Sequence, residues 1–403
     1  MKYNRLFKLK NKIQEYDWGS KMAIPSLLGL PVPSTRPMAE MWMGAHPRAP
    51  SEIEIDGEWR RLDQVIANTP VPILGKGVAD KFLNELPFLF KVIAAAKPLS
   101  VQAHPNKAQA IAGFERENRL QIPLDAPERN YKDKNHKPEI LCALTRFEAL
   151  KGFRDINQII SLMERAVPLS LGNELEFLRK NKDLNGLSRF YASIMKMDTE
   201  KREASIGELL RNAKKYLGCD PAYSLVIKLN EFFPMDIGIF SPLLLNRVVL
   251  NPGEAIYLPA GELHAYIEGF GVELMANSDN VLRGGLTHKH VDTDELLNIL
   301  SFNYGPAHII APEVTRQSEA IYPAPAEEFA LSVITVDDKS SFISSEDRPV
   351  EIMIFIEGEA EIEDLQSNDK VRLKKGDSVL IPSLMPQYEI CGNATIYKAS
   401  VPI

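Results

Sequence analysis

Short apolar runs separated by proline and glycine dominate the first part of the chain, up to about residue 154. Two examples are the segments 87–93 and 99–104, which have the length of single strands. Runs of this length, bounded by turn-forming residues, are typical of a β sandwich or barrel. The pattern therefore predicts that the chain begins with a β domain.

Helical periodicity replaces this pattern after Asp155. Apolar residues then recur at positions i, i+3, i+4 and i+7, which is the spacing of one helix face. The first such face contains Ile156, Ile159, Ile160 and Met163, and a second contains Leu187, Phe190, Tyr191 and Ile194. Asp155 is the predicted N-cap of the first helix. β-type runs return at 247–250 and 255–258, so we predict a helical insert (155–233) inside a β domain (1–154 and 234–310).

The last part of the chain, residues 311–403, repeats a pattern of the preceding β domain. The segment 371–382 parallels the segment 247–259, with Gly376 in the place of Gly253, an offset of 376 − 253 = 123 residues. At the same offset, Gln387 stands where the first copy has His264. The echo predicts two related jelly-roll barrels, of which the second lacks a metal.

Composition and charge restrict the class of protein. A length of 403 residues suggests two or three units, and the formal net charge of −7 argues against a general nucleic-acid binder. The three cysteines are far apart and form no CxxC pair, which fits a reducing compartment. The N-terminal residues lack a signal-peptide pattern, and the longest apolar stretch, 86–96, is too short to span a bilayer. We expect a cytoplasmic monomer that binds neither nucleic acid nor membrane.

Two histidines lie in settings that indicate a bound metal ion. His264 ends the segment 253–264, which reads G-x5-P-x-G-x2-H, the later of the two metal-binding motifs of cupin β-barrels. His104 lies two residues after Gln102 in a predicted strand, so both side chains point to the same face. Glu139 begins another apolar run and offers a carboxylate.

Polar groups that enter an apolar barrel need partners, and a cation is a good one. Two imidazoles, one carboxylate and one amide oxygen suit Zn²⁺, and also Mn²⁺, Fe²⁺ or Co²⁺. His46 is an alternative ligand that we rank lower.

Five motifs resemble those of type I mannose-6-phosphate isomerases, which belong to the cupin superfamily. These motifs are the segments 16–20, 42–47, 102–106, 135–139 and 278–285. The order of parts is also similar, and the resemblance covers essentially the whole chain. It implies a mainly β fold with an α-helical insert, built from two cupin-type jelly-roll barrels and a helical domain.

The resemblance implies a zinc enzyme that interconverts mannose 6-phosphate and fructose 6-phosphate through a cis-enediol. One Zn²⁺ per chain would be held by Gln102, His104, Glu139 and His264, the set reached above from the residues. The resemblance also places Arg283 in the active site, where a fixed positive charge would stabilise the enediolate.

The general base is open among three residues. Glu273 is the first choice because it begins the run that leads to Arg283, and His136 and Lys137 are rivals. Glu273 would alternatively be a salt-bridge partner of Arg283 or Lys289.

The phosphate of the sugar requires cationic or hydroxyl donors. Lys289, Lys97 and Ser100 are the candidates, and Ser100 shares the face of Gln102 because it lies two residues before it. Trp18 is expected to line the sugar site.

Two other classes of function compete with the isomerase. A cupin Fe(II) dioxygenase would use similar ligands, but the sequence has no H-x-H pair at a suitable strand end. A non-catalytic sugar-binding bicupin is the other alternative, although the predicted metal barrel retains a full ligand set.

Overall fold

The computed structural model describes residues 3–316 and 318–402, so the outermost residues of the predicted domain ranges lie outside the description. The fold is mainly β with a helical insertion, which confirms the fold class expected from the sequence. The strands are β1 (Phe7–Lys10), β2 (Lys12–Gln14), β3 (Glu40–Gly44), β4 (Glu52–Ile55), β5 (Glu58–Arg61), β6 (Phe88–Ala95), β7 (Gln102–Ala103), β8 (Glu139–Ala143), β9 (Phe147–Phe153), β10 (Leu245–Leu250), β11 (Ala255–Leu258), β12 (His264–Ala276), β13 (Leu282–Arg283), β14 (Glu313–Arg316), β15 (Glu319–Tyr322), β16 (Ala330–Val336), β17 (Phe342–Ile343), β18 (Glu351–Asp364), β19 (Lys370–Lys374), β20 (Ser378–Ile381) and β21 (Tyr388–Ser400).

The helices lie mainly between β9 and β10. They are α1 (Ala23–Leu27), α2 (Leu62–Asn68), α3 (Pro70–Leu74), α4 (Lys76–Lys81), α5 (Lys107–Arg119), α6 (Ile156–Ala166), α7 (Gly172–Lys180), α8 (Leu184–Met195), α9 (Thr199–Lys215), α10 (Pro221–Phe232), α11 (Ser241–Leu244) and α12 (Thr293–Ile299), with a 3-10 turn at Ile237–Phe240. Asp155 caps α6 as predicted, because its side chain accepts a hydrogen bond from the Asn157 amide at 2.9 Å. None of the described helices has the length and apolar character needed to cross a membrane.

A ten-stranded sheet carries most of the predicted site residues. It runs in the order β10-β9-β12-β6-β3-β2, with β7, β8, β11 and β13 joined beside this path. β6 is buried at every position, as expected of its nearly continuous apolar run, and it pairs with β12 over eight residues. The long strand β12 also pairs with β7, β8 and β9, so it is the element around which the site is assembled.

An eleven-stranded sheet contains the C-terminal part of the chain. Its order is β14-β15-β16-β21-β18-β20-β1-β4-β5, and β17 and β19 pair with β21 and β18. The N-terminal strand β1 therefore joins β20, with Phe7 opposite Leu380. This pairing crosses the domain limits that the sequence suggested, and those limits stay a prediction.

The inside of the eleven-stranded sheet holds a buried ion-pair network. Lys398 Nζ lies 2.7 Å from Glu319 Oε1 and 3.2 Å from Glu351 Oε1, and Tyr388 donates to Glu351 Oε2 at 2.8 Å. Both carboxylates and the ammonium are nearly inaccessible to solvent. A second cation completes the network, since a guanidinium nitrogen of Arg348 lies 3.6 Å from Glu351 Oε2. Two buried carboxylates thus face two cations, and the charges balance.

One apolar cluster joins the two sheets. It combines Ile140 and Leu274 of the ten-stranded sheet with Leu331 and Ile354 of the eleven-stranded sheet. The Cys142 thiol lies here, 3.2 Å from the Tyr322 hydroxyl, and all three cysteines of the chain are free. This shared core fixes the position of the C-terminal sheet against the strands of the candidate site.

Candidate metal centre and active site

Three neighbouring strands bring the key residues of the candidate site side by side. In the ladder of β7 with β12, Gln102 lies opposite His264, and in the ladder of β7 with β13 it lies opposite Arg283. Directly opposed residues in antiparallel strands project from the same face. Glu139 begins β8 opposite Met275 of β12, and His104 follows the end of β7.

Four predicted ligands converge, and the three that carry histidine or carboxylate donors form a buried cluster. Glu139 Oε2 lies 3.5 Å from His104 Nε2 and 3.3 Å from His264 Nε2, and each residue is only 1% exposed. The side-chain amide of Gln102 lies 3.3 Å from His264 Nε2. Because the two ends of an amide interchange by rotation, the oxygen of Gln102 can take this position.

These separations fit a tetrahedrally coordinated metal. Donors about 2.1 Å from Zn²⁺ at tetrahedral angles lie roughly 3.4 Å apart, close to the observed 3.3 and 3.5 Å. His104 Nε2 and Glu139 Oε2 have no hydrogen-bond partner among the described residues, although both are buried. Unpartnered buried donor atoms that point at one another are what a metal ion satisfies.

Backbone carbonyls orient both imidazoles toward this point. His104 Nδ1 lies 2.7 Å from the carbonyl of Asn280, and His264 Nδ1 lies 3.1 Å from that of Glu262. A carbonyl only accepts hydrogen bonds, so Nδ1 carries the proton and Nε2 keeps its lone pair for a metal.

The surrounding charges favour the metal-binding protonation states. Burial works against ionisation of Glu139, but the charge of Lys137 and the contacts with the two imidazoles together outweigh it and hold the carboxyl pKa well below its usual value. Lys137 Nζ lies 3.1 Å from Glu139 Oε1. Burial and then the charge of Lys137 lower the pKa of His104 to about 4, so its imidazole is neutral at neutral pH.

Arg283 faces the site with an uncompensated charge. Burial alone lowers its pKa, and no charged residue within 3–316 and 318–402 shifts it. The pKa of Lys289 is also lowered, first by burial and then by Arg283, Lys132 and Arg48. The effect of three cations on the pKa of Lys289 marks a positively charged region, which suits an anionic ligand.

Glu273 lies in a second buried network of the ten-stranded sheet. Its carboxylate lies 2.9 Å from Lys91 Nζ and accepts a hydrogen bond from Tyr266 at 2.8 Å. Lys91 lies 3.8 Å from Glu40, and its pKa is also influenced by Glu139, so this network adjoins the metal cluster. Glu273 thus pairs with Lys91, and neither Arg283 nor Lys289 is its partner.

The sequence reasoning missed Lys91 and Glu40. In the sequence, Lys91 only interrupts the apolar stretch 86–96. A lysine at the centre of an otherwise buried strand nevertheless signals a buried acidic partner, because an unpaired charge there would be very costly.

The remaining predicted residues occupy different surroundings. His136 is half-buried, and its Nε2 lies 2.6 Å from Glu328 Oε1. Lys97 is exposed, whereas Ser100 and Trp18 are half-buried, and the Lys97 amide donates to the Trp18 carbonyl. The amides of the residues on either side of Ser100 donate to the carbonyls of Tyr266 and Gly285. These hydrogen bonds fix the segment that leads to Gln102.

The lower-ranked ligand His46 lies outside the metal cluster. It is buried, and its Nε2 lies 3.5 Å from Asp279 Oδ2. Burial lowers its pKa to about 4. Among the described residues, His46 therefore belongs to no group of donors that could bind a metal ion.

Known protein families match three parts of the chain. Residues 6–156 match the phosphomannose isomerase type I catalytic domain, and residues 168–245 match the helical insertion domain of the same enzymes. Residues 318–401 match the mannose-6-phosphate isomerase cupin domain.

Characterised relatives are similar over most of their length. The mannose-6-phosphate isomerase of Escherichia coli is 42% identical over 93% of this chain and 94% of its own. The Saccharomyces cerevisiae enzyme is 36% identical over 83% of this chain and 84% of its own. A solved mannose 6-phosphate isomerase structure from Salmonella typhimurium, described as bound to fructose 6-phosphate and zinc, is 39% identical, with a TM-score of 0.91 and coverage of 99% of this chain and 100% of that one. The chain belongs to the type I phosphomannose isomerase family.

Proposed function

We propose that this chain is a zinc-dependent aldose–ketose isomerase that interconverts mannose 6-phosphate and fructose 6-phosphate. The observation that carries this proposal is the register of β7, in which Gln102 has metal-ligand His264 on one side and Arg283 on the other. A candidate metal site thus lies beside a guanidinium that has no ionic partner among residues 3–316 and 318–402. The Salmonella typhimurium relative, described with zinc and fructose 6-phosphate, supports this assignment.

Gln102, His104, Glu139 and His264 would hold the zinc ion. The ion would serve as a Lewis acid for the hydroxyl and carbonyl oxygens at C1 and C2 of the open-chain sugar. Lys137 binds the oxygen of Glu139 that does not face the histidines, so it keeps Glu139 Oε2 directed at the ligand cluster. This second contact of the carboxylate fixes its rotation.

Arg283 would stabilise the negative charge that develops on the enediolate oxygens. Its guanidinium presents several N–H donors in a fixed plane, and partial burial strengthens their electrostatic effect. Because no carboxylate neutralises Arg283 among the described residues, its charge remains available to the substrate.

Glu273 remains our first choice for the group that moves the proton between C2 and C1. Its carboxylate lies in the interior that also contains Glu139, as the influence of both residues on Lys91 indicates. Lys137 is the nearer rival, because its ammonium contacts a metal ligand. The imidazole of His136 is engaged by Glu328, which makes it the weakest of the three candidates.

The phosphate would bind in the positively charged region around Lys289 and Arg283. Lys97 and Ser100 precede Gln102 in the chain, and the Lys97 amide is bound to the Trp18 carbonyl. These three residues would contribute ammonium, hydroxyl and ring contacts to the sugar phosphate. Substitution of Lys289 by Met should raise KM more than it lowers kcat, since a phosphate contact persists unchanged during the proton transfer.

A coupled assay for fructose 6-phosphate, before and after chelation, tests the proposal. We expect turnover that disappears with a strong chelator and returns with added Zn²⁺. Oxygen consumption without isomerisation would instead support a dioxygenase, and sugar binding without turnover would support a binding protein.

We also propose that the chain acts as a cytoplasmic monomer. All residues of the candidate site come from one chain, and its three cysteines are free. Light scattering of the purified zinc protein tests the monomer, for which a mass near 45.2 kDa is expected.

A further inference from the structure

A polar contact joins the C-terminal part of the chain, which forms the eleven-stranded sheet, to the segment that precedes the metal ligand Glu139 in the ten-stranded sheet. Glu328 lies in the loop between β15 and β16, and its Oε1 is 2.6 Å from Nε2 of His136. The two side chains are 16% and 30% exposed. His136 lies three residues before the metal ligand Glu139, so the contact joins the C-terminal sheet to the immediate surroundings of the metal.

Glu328 is held rigidly on its own side of the contact. The next residue, Phe329, is fully buried in the apolar cluster that both sheets share. The second carboxylate oxygen of Glu328 is buried without a hydrogen-bond partner among the described residues. Its interactions thus depend strongly on His136, whose hydrogen bond and charge are the largest of the influences that oppose burial and lower the pKa of Glu328.

The segment 135–138, which leads into β8, is irregular and is fixed from two directions. On one side, the Asn135 carbonyl accepts hydrogen bonds from Ser278 and from Asn280, the residue whose own carbonyl orients His104. On the other side, the segment is fixed by the pair of His136 and Glu328. Immediately after these two attachments, Lys137 turns inward to Glu139.

From this arrangement we propose that Glu328 is a positioning residue for the metal centre. Its contact with His136 would hold that residue in place, so that the neighbouring Lys137 and Glu139 keep the orientation that binding of zinc requires. The proposal rests on the zinc site assigned under the proposed function, and it gives the metal-free C-terminal sheet a role in that site. Outer contacts of ligand residues commonly change metal affinity by about 10- to 100-fold.

The test compares zinc release from three holoenzyme variants. Glu328→Ala removes the contact with His136, and Glu328→Gln keeps a hydrogen-bonding side chain of the same shape. Glu327→Ala is the matched control. Glu327 is the adjacent residue, but its side chain is 77% exposed and pairs only with the surface residue Lys81. Zinc transfer to a chromogenic chelator is followed at fixed pH, together with hydrogen–deuterium exchange of a peptide covering 132–139 and with kcat and KM.

We expect Glu328→Ala to release zinc about tenfold faster than the wild type and to exchange amide hydrogens faster in the segment 135–139. Its kcat should fall while KM changes little, and Glu328→Gln should recover most of each loss. Glu327→Ala should match the wild type. His136→Ala should release zinc as fast as Glu328→Ala. The double variant should show no further increase, because both substitutions remove the same contact between His136 and Glu328.

Two results would overturn the proposal. One is zinc release from Glu328→Ala at the rate of Glu327→Ala, and the other is an additive effect in the double variant. If Glu328→Ala is not obtained in folded form, His136→Ala replaces it, and zinc release from His136→Ala at the rate of Glu327→Ala would overturn the proposal in the same way. Zinc release is measured without substrate, so the result holds even if the wild-type protein fails to isomerise mannose 6-phosphate.

Discussion

Substitution of His264 by Ala should abolish most of the stabilisation that zinc gives to this protein. His264 offers one of the buried donors of the metal cluster, and its Nε2 lies 3.3 Å from Glu139 Oε2. A ligand that binds only the folded state adds RT ln(1 + [L]/Kd) to the free energy of unfolding, about 2.7 kcal/mol at a free zinc concentration of 100 Kd.

The loss of one direct donor should weaken zinc binding by at least the roughly 100-fold that the loss of an outer contact can cause. The same zinc concentration then equals the Kd of the variant, and the increment falls to about 0.4 kcal/mol. The expected difference between the wild type and His264→Ala is therefore about 2.3 kcal/mol, well above the uncertainty of a denaturation experiment.

Chemical denaturation with buffered zinc and with chelator measures both increments, and elemental analysis gives the metal content. His46→Ala is the matched control, because His46 is also a buried histidine of the candidate region but lies outside the metal cluster. We expect this control to lose some stability while retaining the full zinc increment. An undiminished zinc increment in His264→Ala would refute the assigned metal site.

Three further predictions concern the surroundings of the metal. Arg283→Ala should retain zinc but lose about 10²- to 10³-fold in kcat. Arg283→Lys should restore only part of kcat, because the planar guanidinium is lost. Unchanged turnover of Arg283→Ala would remove Arg283 from the mechanism. Lys91→Met should cost about 3–5 kcal/mol of unfolding free energy, since it leaves Glu273 buried without its cation at 2.9 Å; urea denaturation measures this, and a loss below about 1 kcal/mol would contradict a buried pair. Gly261→Ala should weaken zinc binding, because this residue has φ +77° and a Cβ would lie 2.9 Å from the Ile299 carbonyl; equal zinc affinity by competition titration would show that the turn before the ligand tolerates the change.

Three of the four predicted metal ligands stand in a local pattern, whereas Glu139 was singled out by the resemblance to the isomerase family. The turn of the segment 253–264 and the two-residue spacing of Gln102 and His104 identify three of them, and the structure brings these residues together with Glu139. Such patterns are set by strand alternation and turn geometry, which depend on neighbouring residues alone.

Contacts between distant parts of the chain were not predictable in the same way. The partner of Lys91 lies 182 residues away, and the partner of His136 lies 192 residues away. Nothing in the local spacing around Glu40 or Glu328 distinguishes these residues from the many other acidic residues of the chain. Pairing across that distance is decided by how the strands stack, which a single sequence does not reveal.

The pairing of β1 with β20 has a consequence for biosynthesis. Lys8 contacts Asp377, a partner 369 positions later. At 5–20 residues per second, a ribosome needs roughly 20 to 75 s to make that partner. Throughout this interval β1 lacks its partner β20, so its backbone hydrogen-bonding edge stays unpaired. We therefore expect nascent chains to need protection of β1 against aggregation until β20 has been made and the two strands pair.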